Sequence, residues 1–155
     1  MSIEKTTLPE QHYLYVDREV EMNGDAISQA MGSGFGEVFG FVQAQGIVPQ
    51  SMPITLYLEM PNGSNMKFRA GVFVSAEDAA KASGSVSASK IGAGEAVKKT
   101  HVGPYANLNQ SHKAIWDYCD AEGLTKGMPV WEIFVDDPTS VPEDKIRTEI
   151  YRAVS

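Results

Sequence analysis

An acidic residue lies in the middle of an otherwise apolar segment near the end of the chain. Residues 129–135 read PVWEIFV, with Glu132 among β-branched and aromatic neighbours. That composition, begun by a proline and ended by residues 136–138 (DDP), predicts a buried strand. A buried carboxylate must find a partner or shift its pKa upward, since an unpaired buried charge is costly. Glu132 therefore either forms an internal salt bridge, faces water from an edge strand, or lies at the floor of an aromatic pocket that receives a cationic or electrophilic ligand.

Other side chains with reactive chemistry are sparse. The histidines are His12, His101 and His112, and the single cysteine is Cys119. One cysteine cannot form an intramolecular disulfide, and no second ligand at a suitable spacing accompanies His112 for a metal. We expect no metal and no cofactor, and we expect Cys119 to be a small core residue rather than a nucleophile.

The first half of the chain predicts a strand, a helix and a hairpin. A strand is expected at 12–22, followed by a helix with Asp25 as its N-cap, an apolar period of about 3.6 from Ile27 and a stop at Gly46. Strands at 54–60 and 66–74 are expected to form a hairpin around 61–65. Glycines within the helix mark either a kink or a close approach of the backbone to a neighbour; they are Gly32, Gly34 and Gly36.

The second half predicts the same sequence of elements. A connection rich in Ala, Ser and Gly spans 75–94, with a short helix at 76–82. A strand at 96–102 and a helix at 104–121, stopped by Gly123, come next, and strands at 130–135 and 148–154 end the chain. One face of the second helix carries Leu108, His112, Ile115 and Cys119.

A short internal repeat links the two halves. AQGI at 44–47, followed by Met-Pro at 52–53, is matched by AEGL at 121–124, followed by Met-Pro at 128–129. We therefore predict an α+β fold in a single domain, residues 1–155. Two pseudo-symmetric strand–helix–strand–strand repeats, at about 8–75 and 88–155, would form an antiparallel sheet with a central ligand cleft.

Composition excludes several classes of function. The net charge is -7 with 13 basic and 20 acidic residues, which argues against direct binding of nucleic acid, because that requires clustered lysine and arginine. No apolar run approaches the length of a membrane span, and the first residues do not resemble a signal peptide. We expect a cytoplasmic protein without a membrane partner, and the sequence specifies no oligomeric state.

The second half resembles the effector-binding domains of the gyrase-inhibitor-like (GyrI-like) family. HVGPY at 101–105, Leu108 and Gly-Leu at 123–124 resemble that family's H-x-G-P-Y-x-x-L…G-L signature. PVWEIF at 129–134 with Asp-Pro at 137–138 resembles P-x-W-E-x-Y…D-P, and TEIY at 148–151 resembles the closing T-E-I-Y. Phe134 replaces the usual tyrosine, Ala153 stands where proline is common, and the first half matches only in layout.

The resemblance implies a hydrophobic cleft that binds drug-like, often aromatic and cationic, molecules. The glutamate matching Glu132 is the family's pocket acid. The ligand-binding residues expected here are Glu132, Phe134, Tyr57, Tyr105, Tyr151 and Trp131. Because side chains alternate along a strand, Glu132 and Phe134 should share a face that Trp131 does not.

Three functions are compatible with this resemblance. The first is a stand-alone protein that sequesters or senses a small-molecule ligand without turnover. The second is a hydrolase of cyclopropane-bearing electrophiles, in which Glu132 and either Tyr151 or Tyr105 would be catalytic. The third is a gyrase-inhibitor role, with DNA gyrase as the protein partner.

Overall fold

The computed structural model of the chain describes residues 3–59 and 64–155. Eight strands are described: β1 Ile3–Leu8, β2 Gln11–Glu21, β3 Ile54–Tyr57, β4 Asn65–Val74, β5 Ser87–Ile91, β6 Gly94–Val102, β7 Lys126–Phe134 and β8 Arg147–Val154. The described helices are α1 Gly24–Ala44, α2 Ala76–Ala79 and α3 Leu108–Ala121. None of these helices is both long and apolar enough to cross a lipid bilayer.

The chain forms two compact units with the same internal topology. The central unit comprises residues 10–92, and the terminal unit comprises 93–155 together with the residues through Pro9. Strand order is β5-β2-β4-β3 in the central unit and β1-β6-β8-β7 in the terminal unit. The paired strands run antiparallel. The predicted α+β fold, with two strand–helix–strand–strand repeats and antiparallel pairing, is therefore confirmed.

Strand register assigns each side chain of the terminal unit to one face of its sheet. Ile150 pairs with Lys99 on one side and with Glu132 on the other. Ile150 also packs in a core with Ile115 and Cys119 of α3. Because side chains alternate along a strand, Lys99, Glu132 and Ile150 all point toward α3. We call this side of the sheet the α3 face.

The ends of α1 differ in one detail from the prediction. The N-cap is Asn23, whose side chain accepts hydrogen bonds from the backbone N–H groups of Asp25 and Ala26 at 2.9 and 3.2 Å. The predicted cap, Asp25, lies instead in the first turn, where its negative charge interacts favourably with the positive N-terminal end of the helix dipole. The predicted stop is confirmed, since Gly46 follows the helix with a φ of 66°.

One of the three helix glycines marks a close approach of the helix backbone to a neighbour, which is one of the two interpretations that the sequence offered. A Cβ atom at Gly34 would lie 2.7 Å from the Cβ of Ala70 and 3.5 Å from Val16. Among the described residues, no atom outside the adjoining helix backbone lies within 4 Å of a Cβ built at Gly32 or Gly36. The backbone of α1 therefore contacts the sheet at Gly34, and the other two glycines are not required by packing.

Two described strands, β1 and β5, were not predicted from the sequence. Each pairs with one neighbour and needs little apolar surface, so a strong hydrophobic alternation is absent. The predicted helix at 104–121 begins later, at Leu108, after a 3₁₀ turn at 105–107. The short helix predicted at 76–82 ends at Ala79. Most of the predicted 61–65 turn, and the last residue of the predicted 54–60 strand, lie outside the described residues.

Replacing Gly34 with alanine should destabilise the protein. The added methyl group would overlap the Ala70 side chain, and overpacking of this kind costs about 1–3 kcal/mol. Gly36→Ala is the matched control in the same helix, and there the better helix propensity should add up to about 1 kcal/mol. Urea unfolding of both variants measures the difference. Equal stability of the two variants would contradict the close approach at Gly34.

Candidate functional site

Glu132 is buried and hydrogen-bonded to a histidine of the helix above it. Its side chain is 4% exposed, and its Oε2 lies 2.6 Å from Nε2 of His112. A carboxylate can only accept, so the imidazole Nε2–H donates. The His112 side chain is 23% exposed. The acid therefore has an internal partner, and the imidazole connects that acid to solvent.

An edge-to-face aromatic pair lies on the same side of the sheet as the acid. Phe134 follows Glu132 by two residues on β7 and is buried. The ring of Tyr105 meets the Phe134 ring with centroids 5.5 Å apart and an interplanar angle of 77°. Tyr105 is 37% exposed, so one ring of the pair is open to solvent. We call Glu132, His112, Phe134 and Tyr105 the acid–aromatic site.

Buried polar residues hold the loop that carries Tyr105. His101 Nε2 lies 3.1 Å from the Pro104 carbonyl oxygen, and His101 Nδ1 lies 2.7 Å from the hydroxyl of Ser111. The carbonyl can only accept, so Nε2 donates to it and, in the neutral ring, Nδ1 accepts from Ser111. Lys99 in turn donates to the Ser111 hydroxyl at 2.9 Å. These hydrogen bonds run in one direction, from Lys99 to the loop.

Lys99 is a buried cation whose hydrogen-bond partner is neutral. It is 5% exposed, and Ser111 is its one hydrogen-bond partner among the described residues. Burial disfavours the charged amine and lowers the pKa of Lys99. The hydrogen bonds that hold the Tyr105 loop therefore begin at a lysine whose surroundings oppose its charge.

The Tyr105 hydroxyl is suited to donate a hydrogen bond. Burial, together with the negative charges of Asp136 and Asp137, raises the pKa of Tyr105 above its ordinary value. The hydroxyl therefore stays protonated at neutral pH and is available as a donor at the edge of the acid–aromatic site.

A second aromatic cluster lies on the opposite face of the same sheet. The rings of Trp131 and Tyr151 are stacked, with centroids 5.1 Å apart and planes 4° from parallel. Lys98 Nζ lies 5.6 Å from the Tyr151 centroid and 3.8 Å from a carboxylate oxygen of Glu149. The Tyr151 hydroxyl donates to Glu149 at 3.3 Å, and burial followed by the Glu149 charge raises the pKa of Tyr151.

The residues predicted for ligand binding therefore do not form one surface. Glu132, Phe134 and Tyr105 share the α3 face, whereas Trp131 and Tyr151 share the opposite face, as strand alternation requires. Tyr57 is buried on β3 in the central unit.

Sequence reasoning missed the roles of three polar residues where α3 meets the sheet: His112 as the partner of Glu132, and Lys99 and Ser111 as supports of the Tyr105 loop. His112 lies on the same helix face as Ile115 and Cys119, and a histidine on this apolar face was the available indication that it contacts the sheet. Its pairing with Glu132 depends on how α3 lies across β7, and spacing along the chain does not supply that placement.

Within the described part of the chain, no three His, Cys, Asp or Glu side chains are grouped so as to hold a metal ion.

A family model described as a GyrI-like small molecule binding domain matches residues 1–155. No curated protein matches the chain by sequence. Fold likeness to solved structures extends over almost the whole chain, at low sequence identity.

Three of these solved structures illustrate the likeness. The EcmrR C-terminal domain aligns with a TM-score of 0.82 at 20% identity, covering 99% of this chain and 97% of that one. A hydrolase from Listeria innocua aligns with a TM-score of 0.68 at 18% identity, covering 99% of this chain and 91% of that one. SAV2435 bound to tetraphenylphosphonium aligns with a TM-score of 0.65 at 16% identity, covering 100% of this chain and 94% of that one. At these identities the likeness is one of fold.

Lys99→Met should change the pH dependence of stability in a defined direction. Because burial lowers the folded-state pKa of Lys99, the unfolded chain binds more protons between that pKa and the ordinary value near 10.5. Lys99 therefore makes wild-type stability rise with pH in this window. Measured by urea unfolding from pH 7 upward, the stability of Lys99→Met relative to wild type should decline as pH rises. A difference between the two proteins that stays constant with pH would contradict an unfavourably buried charge.

Proposed function

We propose that this chain, which belongs to the GyrI-like family of small-molecule-binding domains, binds a lipophilic aromatic cation at the acid–aromatic site and thereby sequesters or senses it. The observation that carries the proposal is the buried carboxylate of Glu132 on the same sheet face as the edge-on pair of Tyr105 and Phe134. A ligand that carries both positive charge and rings satisfies both features at once.

The attraction has two physical sources. A cation over an aromatic face gains about 0.5–2 kcal/mol, and Tyr105 leaves part of its ring open to receive one. The Glu132 carboxylate adds a Coulomb term that is stronger than in water, because the site is largely desolvated. His112 holds the carboxylate by a hydrogen bond in the unliganded protein, and a ligand cation offers the carboxylate a full counter-charge.

Two further observations support a cationic ligand. The net charge of -7 draws cations toward the molecule and disfavours anions at long range. A protein of the same fold, SAV2435, is bound to tetraphenylphosphonium, which carries aryl groups and a positive charge.

The Trp131–Tyr151 stack is less suited to receive a cation from solution. Lys98 already lies over the Tyr151 ring and near the Glu149 carboxylate. A ligand cation would have to displace this lysine or accept its repulsion. We therefore place the proposed ligand on the α3 face and use the opposite face as the control in the binding experiment.

Hydrolysis of a cyclopropane-bearing electrophile is the second candidate. The 2.6 Å contact between Glu132 and His112 pairs a carboxylate with an imidazole that reaches solvent, which is a suitable arrangement for removing a proton from water. Tyr105, rather than Tyr151, shares the face of Glu132, and its raised pKa keeps it a proton donor. A protein of the same fold from Listeria innocua is a hydrolase.

Glu132→Gln should weaken binding of tetraphenylphosphonium by at least about tenfold, because loss of one buried charge contact is worth 1.4 kcal/mol or more. Calorimetric titration of wild type and variant measures the change. Tyr151→Phe is the control on the opposite face and should leave the affinity unchanged. If Tyr151→Phe weakens binding and Glu132→Gln does not, the ligand occupies the Trp131–Tyr151 stack instead.

Incubation with a cyclopropane-bearing electrophile, followed by mass spectrometry, separates binding from turnover. Binding alone predicts a phosphonium affinity that depends on Glu132 and an electrophile that is not consumed. Catalytic consumption that is lost in Glu132→Gln and reduced in Tyr105→Phe would favour the hydrolase. If neither compound engages the protein, both candidates fail, and a protein partner such as DNA gyrase becomes the next ligand to test.

A further inference from the structure

A half-exposed tryptophan of α3 lies between two cationic side chains. Trp116 is 46% exposed. Lys126 Nζ lies 4.2 Å and Arg152 Cζ lies 5.1 Å from the centroid of its ring. These residues belong to the terminal unit and are distinct from the acid–aromatic site. We call them the Trp116 site.

Arg152 is buried without a counter-charge. It is 9% exposed, and on the α3 face its strand neighbours are Val97 and Val130, which are fully buried. Among the described residues no side chain or carbonyl hydrogen-bonds to the guanidinium, and its buried Nε has no partner. The residues outside the description, 1–2 and 60–63, include no acid that could supply a charge. Burial lowers the pKa of Arg152.

The central unit contains an arginine whose charge is paired with an acid of the helix above it. Arg18 points to α1 and forms an ion pair with Glu37 of that helix at 2.8 Å. Arg152 lies on the last strand of its repeat, whereas Arg18 lies on the first, and Arg152 meets an indole ring of α3 instead of a carboxylate. An indole face attracts a guanidinium but offers its N–H groups no hydrogen-bond acceptor, and the buried Nε–H of Arg152 has no partner among the described residues.

Lys126 adds a second positive charge beside the ring. Its ammonium forms an ion pair with Asp120, which is itself exposed. The Trp116 site therefore carries two cations, with the single acid Asp120 beside it, within a chain whose overall charge is strongly negative. A guanidinium presents N–H groups in a planar fork that matches the geometry of a carboxylate or phosphate.

We propose that Arg152, Lys126 and Trp116 form an anion-binding site that takes a small oxyanion, either a carboxylate or a phosphate group. The oxyanion accepts hydrogen bonds from the Arg152 fork, Lys126 contributes charge, and the exposed part of the indole packs against the body of the ligand. The site is opposite in charge preference to the acid–aromatic site, and its existence does not depend on the function proposed there.

Fluorescence quenching tests whether an anion reaches this ring. The chain has two tryptophans, and Trp131 is buried, so soluble quenchers report on Trp116. When each quencher is scaled to its quenching of free tryptophan, iodide should be more effective than caesium, although the net charge of -7 favours the opposite order. The iodide preference should disappear in Arg152→Met. Scaled caesium quenching equal to or stronger than scaled iodide quenching in the wild type overturns the proposal.

Titration with benzoate and with inorganic phosphate tests for a binding site rather than a local potential. Wild type should show a saturable change in Trp116 fluorescence and an increase in Tm, with the stronger of the two probes identifying the preferred oxyanion. Arg152→Met should lose both effects, and Arg152→Lys should weaken them about tenfold, because it keeps the charge but lacks the fork. Non-saturable changes, or equal changes in wild type and Arg152→Met, overturn the proposal.

Two further variants separate the site from general effects of charge and folding. Lys113→Met removes an exposed cation from the same helix and should leave anion binding unchanged. Lys126→Met retains Arg152 and should weaken anion binding, so it decides the question if Arg152→Met fails to fold. Tetraphenylphosphonium affinity measured in Lys126→Met should equal that of wild type. Joint loss of both ligands would place them in one site and would overturn an independent anion site.

Discussion

The burial of several ionisable side chains beneath a single helix is the constraint on which the terminal unit depends. Lys99, His101, Glu132 and Arg152 all lie on the α3 face and are largely removed from solvent. A buried charge or polar group without compensation is strongly unfavourable. α3 therefore cannot be a purely apolar cover, and its own side chains must compensate for the charges below. Ser111 contacts Lys99 and His101, His112 contacts Glu132, and Trp116 contacts Arg152.

The apolar contacts of the same helix make this arrangement stable. Ile115 and Cys119 pack against Val97 and Ile150 and so fix where α3 lies across the strands. With that position fixed, polar residues at neighbouring helix positions reach their partners without further ordering. Packing and polar contacts in this unit are therefore coupled, because a shift of the helix along the sheet would break all of its polar contacts together.

Sequence reasoning identified six of the eight described strands, the two long helices and the anomalous acid, because each leaves a local signal. Glu132 is conspicuous among apolar neighbours, and alternation alone separates it from Trp131. The partner of Glu132 was not predictable in the same way, since it requires the placement of a helix over a strand twenty positions away in sequence. The same holds for Arg152, which lies between two valines that belong to different strands. Edge strands were missed because their pairing needs few apolar residues, as β5 illustrates.

The two units use their helices in different ways, and Gly34 makes the difference visible. In the central unit the absence of a side chain at Gly34 lets the helix backbone rest on the sheet, which leaves no space there for a functional group. In the terminal unit the corresponding helix carries its chemistry on a few neighbouring positions, among them 111, 112 and 116. A gene that encodes two such repeats can thus keep one as a rigid support while the other diverges. If the ligand binds at the acid–aromatic site as proposed, its recognition would then evolve through substitutions on one short helix, with the strands of both repeats left intact.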